Sequence, residues 1–285
     1  MMLLIWLENI EVLEMKKIVE LPIIEPIYQT YQYQGSGAAT IKNNPTIRNW
    51  YLNEAVNLTC SRRFLTQTAL LDVTIVYSEY QHNPYLEKKF YSMQFLNGYI
   101  NPLIRNLLND GYYVYFTGVD DFYVQGKSLY QKHHMLHDGL ICGYNQNDKT
   151  YCIYSYDINW VYRKFWTSQK SFNEGRIAMQ KQGKYGIICA IKPKPDIVNF
   201  SIKRAYEKIK EYLNSSLEVY PLEEDKNPYG IAVQLYIVKY LDRLIEGSIP
   251  YKNMDRRVFR LIWEHKKAML ERIEAIEEYK HNLER

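Results

Sequence analysis

Two polar residues flank a predicted pair of strands and could together hold and move a proton. His137 begins the apolar run 137–144, and Asp157 directly follows the run 151–156. The polar break between the runs, 145–148, has turn chemistry, so the two runs predict a hairpin whose ends meet. Histidine is the commonest general base, and a carboxylate can orient its ring. We therefore predict His137 as the base and Asp157 as its orienting carboxylate.

A nucleophile would complete this set, and the sequence offers two candidates. Ser36 lies in the small-residue run 34–40, which can open a helix over 35–43. There the helix dipole and free N–H groups would stabilise an anion. Cys60 is the rival, but it falls at the end of the predicted helix 50–59, where the dipole raises a thiol pKa. The alternative is an ordinary serine N-cap and no functional nucleophile.

Other polar residues near His137 have weaker interpretations. His133 and His134 form a cluster with His137, but the spacing lacks the helical pair with a glutamate that zinc sites use, so no metal is predicted. The loop 117–132 is either a solvated loop or the wall of a substrate channel. In the second case, the channel would be lined by Tyr123, Lys127 and Tyr130.

Composition restricts the class of protein. The 285 residues are 47% apolar with a net charge of +4, and both signs are interspersed, which does not suggest bulk nucleic-acid binding. No run approaches the roughly 18 apolar residues of a membrane span. The first residues make a poor signal peptide, and Met15 could be the true start. Four cysteines without paired spacing indicate a reduced, cytoplasmic protein.

Hydrophobic periodicity predicts an α+β body followed by helices. We expect strands at 70–76, 112–116, 138–145, 150–156 and 185–191, and helices at 97–110, 198–213, 229–246 and 255–283. The prolines at 193 and 195 suggest a boundary, giving an extension 1–17, a catalytic domain 18–195 and a helical domain 196–285. The single apolar face of the last helix could pack on the body or form a homodimer.

Two of these segments resemble known families. Ser36-Gly37-Ala38-Ala39 is similar to the Cys-Gly-x-Ala helix start of the bacteriocin-processing cysteine peptidases, with serine in place of cysteine. The stretch from Asp120-Asp121-Phe122-Tyr123-Val124 through Lys127 to the run 137–144 more closely resembles the N-terminal domain of the butirosin-biosynthesis acyltransferase family. The amide-forming enzyme of closthioamide assembly is a relative. The resemblance covers roughly residues 18–195 and implies a papain-like α+β fold.

The resemblance implies acyl transfer in specialised-metabolite biosynthesis. The donor would be a thioester on the phosphopantetheine arm of a carrier protein, and the acceptor a small amine. His137 would act as base with Asp157, and Gln29 or Gln32 would donate to the oxyanion. No cofactor of the chain's own is expected.

Ser36 stands where the family has cysteine. It is a Cys→Ser replacement, a working serine, or the mark of a non-covalent or inactive member. A cysteine- or serine-type peptidase and an inactive binding protein are the alternatives.

Overall fold

The computed structural model of the chain describes residues 16–40, 45–215 and 227–283. Within these ranges it is a mixed α+β protein with a large antiparallel sheet, as the sequence predicts. Most of the predicted N-terminal extension lies outside the described residues. The helices are α1 (Gln32–Ala38), α2 (Thr46–Glu54), α3 (Ile100–Asn109), α4 (Gln169–Gln180), α5 (Ile202–Leu213), α6 (Ala232–Ile245) and α7 (Arg257–Leu283). The strands are β1 (Ile18–Glu20), β2 (Leu58–Cys60), β3 (Val73–Ile75), β4 (Leu86–Ser92), β5 (Tyr113–Asp120), β6 (Leu136–Asn145), β7 (Thr150–Tyr156), β8 (Tyr162–Ser168) and β9 (Ile187–Pro193).

The chain divides into two compact units, each built from separated segments. The first unit comprises residues up to Leu21 together with 92–137 and 141–188. The second comprises 22–91, 138–140 and 189–285. This division differs from the boundary at 195 that the sequence suggests, because the C-terminal helices belong to the same unit as residues 22–91.

The first unit is built on four neighbouring strands, in the order β5, β6, β7, β8. The paired strands β7 and β8 run antiparallel, and β1 pairs antiparallel with β6. Helix α4 packs on β5, and its Phe172 lies edge-on to Phe116 of β5 and Tyr151 of β7, with ring centres 5.1 and 5.6 Å apart. These buried aromatic contacts hold α4 against the sheet.

The second unit is held together by the long helix α7. Its Arg272 is completely buried and donates to the carbonyl oxygens of Tyr51, Leu52 and Ala55 at 3.1, 2.7 and 2.6 Å. These carbonyls lie at the end of helix α2, where that of Tyr51 also accepts from Ala55 N–H at 3.0 Å and that of Ala55 from the Tyr28 hydroxyl at 2.7 Å. Because one guanidinium satisfies all three, residues 46–56 and the C-terminal helices form one core.

Several elements follow the sequence prediction and others correct it. The hairpin of β6 and β7 and the helix α3, which is followed by Gly111 at φ 81°, are confirmed. The predicted helix 50–59 is wrong, because α2 ends at Glu54 and Leu58 already begins β2. The predicted helix 35–43 starts too late, since α1 begins at Gln32, and residues 41–43 lie outside the described residues. Strand β8 and helix α4 were not predicted.

Helix α7 exposes several large apolar side chains along its outer side. Trp263 and Leu270 are each 61% exposed, whereas Val258, Leu261 and Ala268 are buried. The helix therefore packs on its own unit through one face. The homodimer that its periodicity also allows stays a prediction.

Candidate functional site

The strongest polar arrangement in the first unit is a histidine held by a buried carboxylate. His137 lies near the start of β6, and its Nδ1 is 2.7 Å from Oδ2 of Asp121. Asp121 follows directly after β5, the strand beside β6, and is only 3% exposed. A carboxylate at Nδ1 fixes the ring and places the basic lone pair on Nε2. The geometry is that of a general base with its orienting group.

A buried lysine compensates the charge of Asp121. The Nζ of Lys127 is 3.5 Å from Asp121 Oδ1 and donates to Ser155 Oγ of β7 at 2.6 Å, and Lys127 is 1% exposed. A buried carboxylate is strongly disfavoured without such a partner. The turn that carries Lys127 contains Gly126 at φ 92°, where a Cβ would lie 2.5 Å from the Phe165 ring. The ion pair therefore depends on a glycine at that position.

A second histidine–aspartate pair lies beside the first. His134 Nδ1 is 2.7 Å from Oδ2 of the fully buried Asp120, and the His134 ring stacks on Phe122 with centres 4.2 Å apart. Asp120 Oδ1 also accepts from the backbone N–H groups of Phe122 and Met135. With its side chain 61% exposed, His134 is outside the buried network and anchors the loop between β5 and β6.

The expected pairing of His137 with Asp157 is wrong. Asp157 Oδ1 accepts from the backbone N–H groups of Asn159 and Val161 at 2.8 and 2.9 Å, and Oδ2 pairs with Arg163. Burial alone would raise the pKa of Asp157, but the hydrogen bonds from Val161 and Asn159 and the Arg163 guanidinium outweigh it and hold the pKa below its ordinary value. Asp157 therefore organises the β7–β8 turn.

Ser36 is not at the start of a helix, so that expectation is also wrong. Helix α1 begins four residues earlier, with Tyr31 at its N-cap. The Ser36 hydroxyl donates to the Gln32 carbonyl oxygen at 2.7 Å, and its side chain is fully buried. A mid-helix hydroxyl that bonds back to the preceding turn is a common structural arrangement. It lacks the free N–H groups that a nucleophile at a helix N-terminus would use.

Cys60 also lacks the properties of a nucleophile. It ends strand β2 and not a helix, and it is buried. Burial, with a smaller contribution from the Asp72 carboxylate, raises the pKa of the Cys60 thiol to about 12. Burial likewise raises the pKa of Cys189 to about 12. These thiols stay protonated at neutral pH, and the thiolate is the reactive form.

The two glutamines proposed as oxyanion donors have different surroundings. Gln32 is buried, and its amide nitrogen donates to Asp138 Oδ1 at 2.8 Å. The Gln29 amide nitrogen donates to Glu25 Oε1 at 2.7 Å, and its backbone N–H donates to Glu264 at 3.0 Å. Gln29 thus belongs to a structural loop, and the oxyanion role of either residue stays a prediction.

The three residues proposed for a substrate channel separate into different environments. Tyr123 lines an open hollow of about 470 Å³ with Ile177 of α4 and Lys181, which follows that helix. Tyr130 is half-buried and accepts a hydrogen bond from Gln131. Lys127 is wrong as a channel residue, because its ammonium group is buried in the ion pair with Asp121.

Comparison of the chain with protein-family models, curated proteins and solved structures found no match. The resemblance to the butirosin-type acyltransferases and the papain-like fold it implies therefore stay predictions. Within the described ranges, no helix is both long and apolar enough to cross a membrane. The same residues contain no group of three or more His, Cys, Asp and Glu side chains arranged to hold a metal ion.

Proposed function

We propose that the chain is an amide-forming acyltransferase of papain-like type whose general base is His137, oriented by Asp121. The donor is an acyl thioester on the phosphopantetheine arm of a carrier protein, and the acceptor is a small amine. One observation carries the proposal: the 2.7 Å contact between His137 Nδ1 and the buried Asp121 carboxylate. The four free thiols support a reducing, cytoplasmic setting.

The surroundings of Ser36 and Cys60 favour direct transfer over a covalent acyl-enzyme. Both side chains are buried, and the Cys60 thiol is held protonated. In direct transfer, the amine attacks the thioester carbonyl and His137 Nε2 removes a proton from the attacking nitrogen. The C–S bond breaks, and the pantetheine thiolate leaves and is protonated. A positioned base of this kind contributes roughly 10²–10⁴-fold to rate.

The test is intact-mass measurement of an acyl-loaded carrier protein mixed with the chain and a panel of amines. We expect His137→Ala and Asp121→Asn to slow amine-dependent unloading by about 10²-fold or more. The matched control is His134→Ala, which removes the neighbouring histidine of identical pairing distance. Unloading that persists at the wild-type rate in His137→Ala would contradict the assignment of His137 as the general base.

A catalytically inactive binding protein is the second candidate. The burial of both Ser36 and Cys60 favours it, since a papain-like chain without an accessible nucleophile has lost covalent catalysis. In that case the wild-type chain would bind the carrier protein without unloading it. The same mass measurement, combined with a pull-down of the loaded carrier protein, separates the two functions.

A further inference from the structure

A pocket in the second unit has the chemistry of a site for a small organic cation. It opens beside the short sheet of β2 and β3, where Thr59 lies opposite Thr74. Neighbouring residues along these strands, such as Leu58 and Val73, are buried on the other face. The pocket therefore lies on the Thr59 and Thr74 face of this sheet, with a volume of about 180 Å³. Sites for drug-sized ligands have volumes of roughly 300 Å³ or more, so this pocket fits only a smaller molecule.

Aromatic rings form much of the pocket wall. Tyr77, His82 and Tyr229 line it, and Tyr77 meets His82 edge-on with ring centres 5.7 Å apart. Tyr229 is fixed by a backbone bridge to Thr59. Ring faces carry partial negative charge and attract cations.

Two polar groups of the pocket have no hydrogen-bond or ion-pair partner among the described residues. The Glu79 carboxylate makes no hydrogen bond or ion pair with any residue that the structure describes. The Thr59 Oγ1 atom is buried and also has no hydrogen-bond partner among those residues. A buried hydroxyl without a hydrogen-bond partner is destabilising, so the Thr59 hydroxyl favours a ligand that supplies a partner.

The backbone at the pocket is strained. Tyr77 has φ 64°, a left-handed conformation that costs free energy for a bulky residue. The turn that imposes it is held by Val76 N–H, which donates to Asn57 O at 2.8 Å, and by Ser78 Oγ, which donates to Ile75 O at 2.8 Å. The strain fixes the position of the Tyr77 ring in the pocket wall.

Lys208, a cation beside the pocket, does not form an ion pair with Glu79. Lys208 Nζ lies 5.7 Å from the centre of the Tyr77 ring, but it is paired with both carboxylate oxygens of Glu211 at 2.8 and 3.0 Å. The Lys208 charge is thus compensated by Glu211. The uncompensated charge of the pocket is the negative charge of Glu79.

We propose that this pocket binds a small ammonium compound, with the ammonium group on Glu79 and Thr59 Oγ1 and its organic body between the aromatic rings. The amine binds without covalent change. The site does not depend on acyl transfer, so a failure of the acyltransferase assignment leaves it standing.

The test compares benzylamine, which is protonated at neutral pH, with the uncharged benzyl alcohol by titration calorimetry on the full chain. We expect benzylamine to bind with a Kd below about 1 mM and at least about tenfold more tightly than benzyl alcohol. Glu79→Gln should abolish that preference, whereas Glu277→Gln, at an exposed position on α7, should keep it.

Three results would overturn the proposal. They are no saturable binding of benzylamine to the wild-type chain, equal affinity for the alcohol, or an unchanged preference in Glu79→Gln. Circular dichroism of Glu79→Gln verifies that the variant is folded. Because the Glu79 carboxylate has no partner among the described residues, replacing it removes no hydrogen bond or ion pair from that part of the chain, and loss of fold is not expected.

Discussion

Strand order and the N–H groups of the β7–β8 turn determine which aspartate pairs with His137. The sequence identifies His137 as a base from its place at a strand start. It does not identify the orienting carboxylate, because an aspartate directly follows each of the two strands β5 and β7 that flank β6. The β7–β8 turn needs an acceptor for the N–H groups of Asn159 and Val161, and Asp157 fills that need. Asp121, after β5, is left for His137. In the sequence, the adjacent acidic residues 120 and 121 were the feature that could have indicated this partner of His137.

Replacing Ser36 by alanine should have little effect on either function or stability. The Ser36 hydroxyl is buried and donates only to the Gln32 carbonyl oxygen of its own helix. That carbonyl is also available to the α-helical ladder, so the loss is at most about 1 kcal/mol in the free energy of unfolding. Urea unfolding and the carrier-protein assay measure the two quantities. A Ser36→Ala chain that folds normally but no longer unloads the carrier would restore the covalent mechanism.

Among the elements, helix α7 differs most from its sequence pattern. Its periodicity predicts an apolar buried face, and Val258, Leu261 and Ala268 are indeed buried. The same buried side also carries Glu264, His265 and Arg272. Each is matched to backbone groups of distant segments, such as the N–H groups of Gln29 and Thr30 that donate to Glu264. Sequence analysis predicts that polar residues of this kind are exposed to solvent, because their hydrogen-bond partners are known only once the chain is folded.

The burial of His265 makes stability depend on pH. Burial, opposed by the hydrogen bond to Val56 O, lowers the pKa of His265 to about 4, and the Lys266 and Arg272 charges add to the lowering. In the unfolded chain the same histidine has a pKa of about 6.5. The stability that the neutral, buried His265 contributes is therefore complete above about pH 6.5 and is lost as the pH falls toward 4. The loss should be on the order of 2 kcal/mol between about pH 7 and about pH 5.

Urea unfolding of wild type and His265→Gln at the two pH values measures this contribution. The variant should show a smaller loss on acidification, because its side chain does not titrate. His133→Gln, at an exposed histidine, is the matched control and should behave as wild type. Equal pH dependence in His265→Gln and wild type would contradict a neutral buried His265.

Local sequence patterns predicted the helices and strands whose ends are marked by turn residues. They missed elements whose ends depend on tertiary packing. Strands β6 and β7 and helix α3 have clear turn residues at their ends. Helix α4 could have been found from Ser168, whose hydroxyl accepts from Ser171 N–H at 3.0 Å as an N-cap. The end of α2 could not, because residues 50–59 keep helical spacing past Glu54. There, pairing of β2 with β3 overrides the local preference.

At the scale of the whole molecule, the proline pair at 193 and 195 is not where the compact units divide. The second unit takes residues from both sides of it. Composition shifts identify a change from strands to helices, and here that change occurs inside one core. Single buried polar contacts join residues 22–91 to the C-terminal helices. Contacts of this kind produce no periodic pattern in the sequence.

A fragment that stops at residue 195 should therefore leave residues 46–60 unfolded. It lacks Arg272, so the Leu52 carbonyl loses its guanidinium donor and the Ala55 carbonyl keeps only the Tyr28 hydroxyl, and it lacks His265, which donates to Val56 O. Hydrogen exchange followed by mass spectrometry measures this. We expect rapid exchange over 46–60 in the fragment and protection in the full chain. Protection of that segment in the fragment would show that a domain does end at 195.

The capping of α2 by Arg272 has a consequence for the order of events during synthesis. The guanidinium and the Leu52 carbonyl that accepts from it are 220 residues apart in the chain. A ribosome delivers Leu52 long before Arg272, so the end of α2 is hydrated, or covered by another protein, for most of translation. The segments of the first unit between 92 and 188 emerge in the meantime. The second unit, which includes residues 22–91, is thus completed only after all of the first unit has been synthesised.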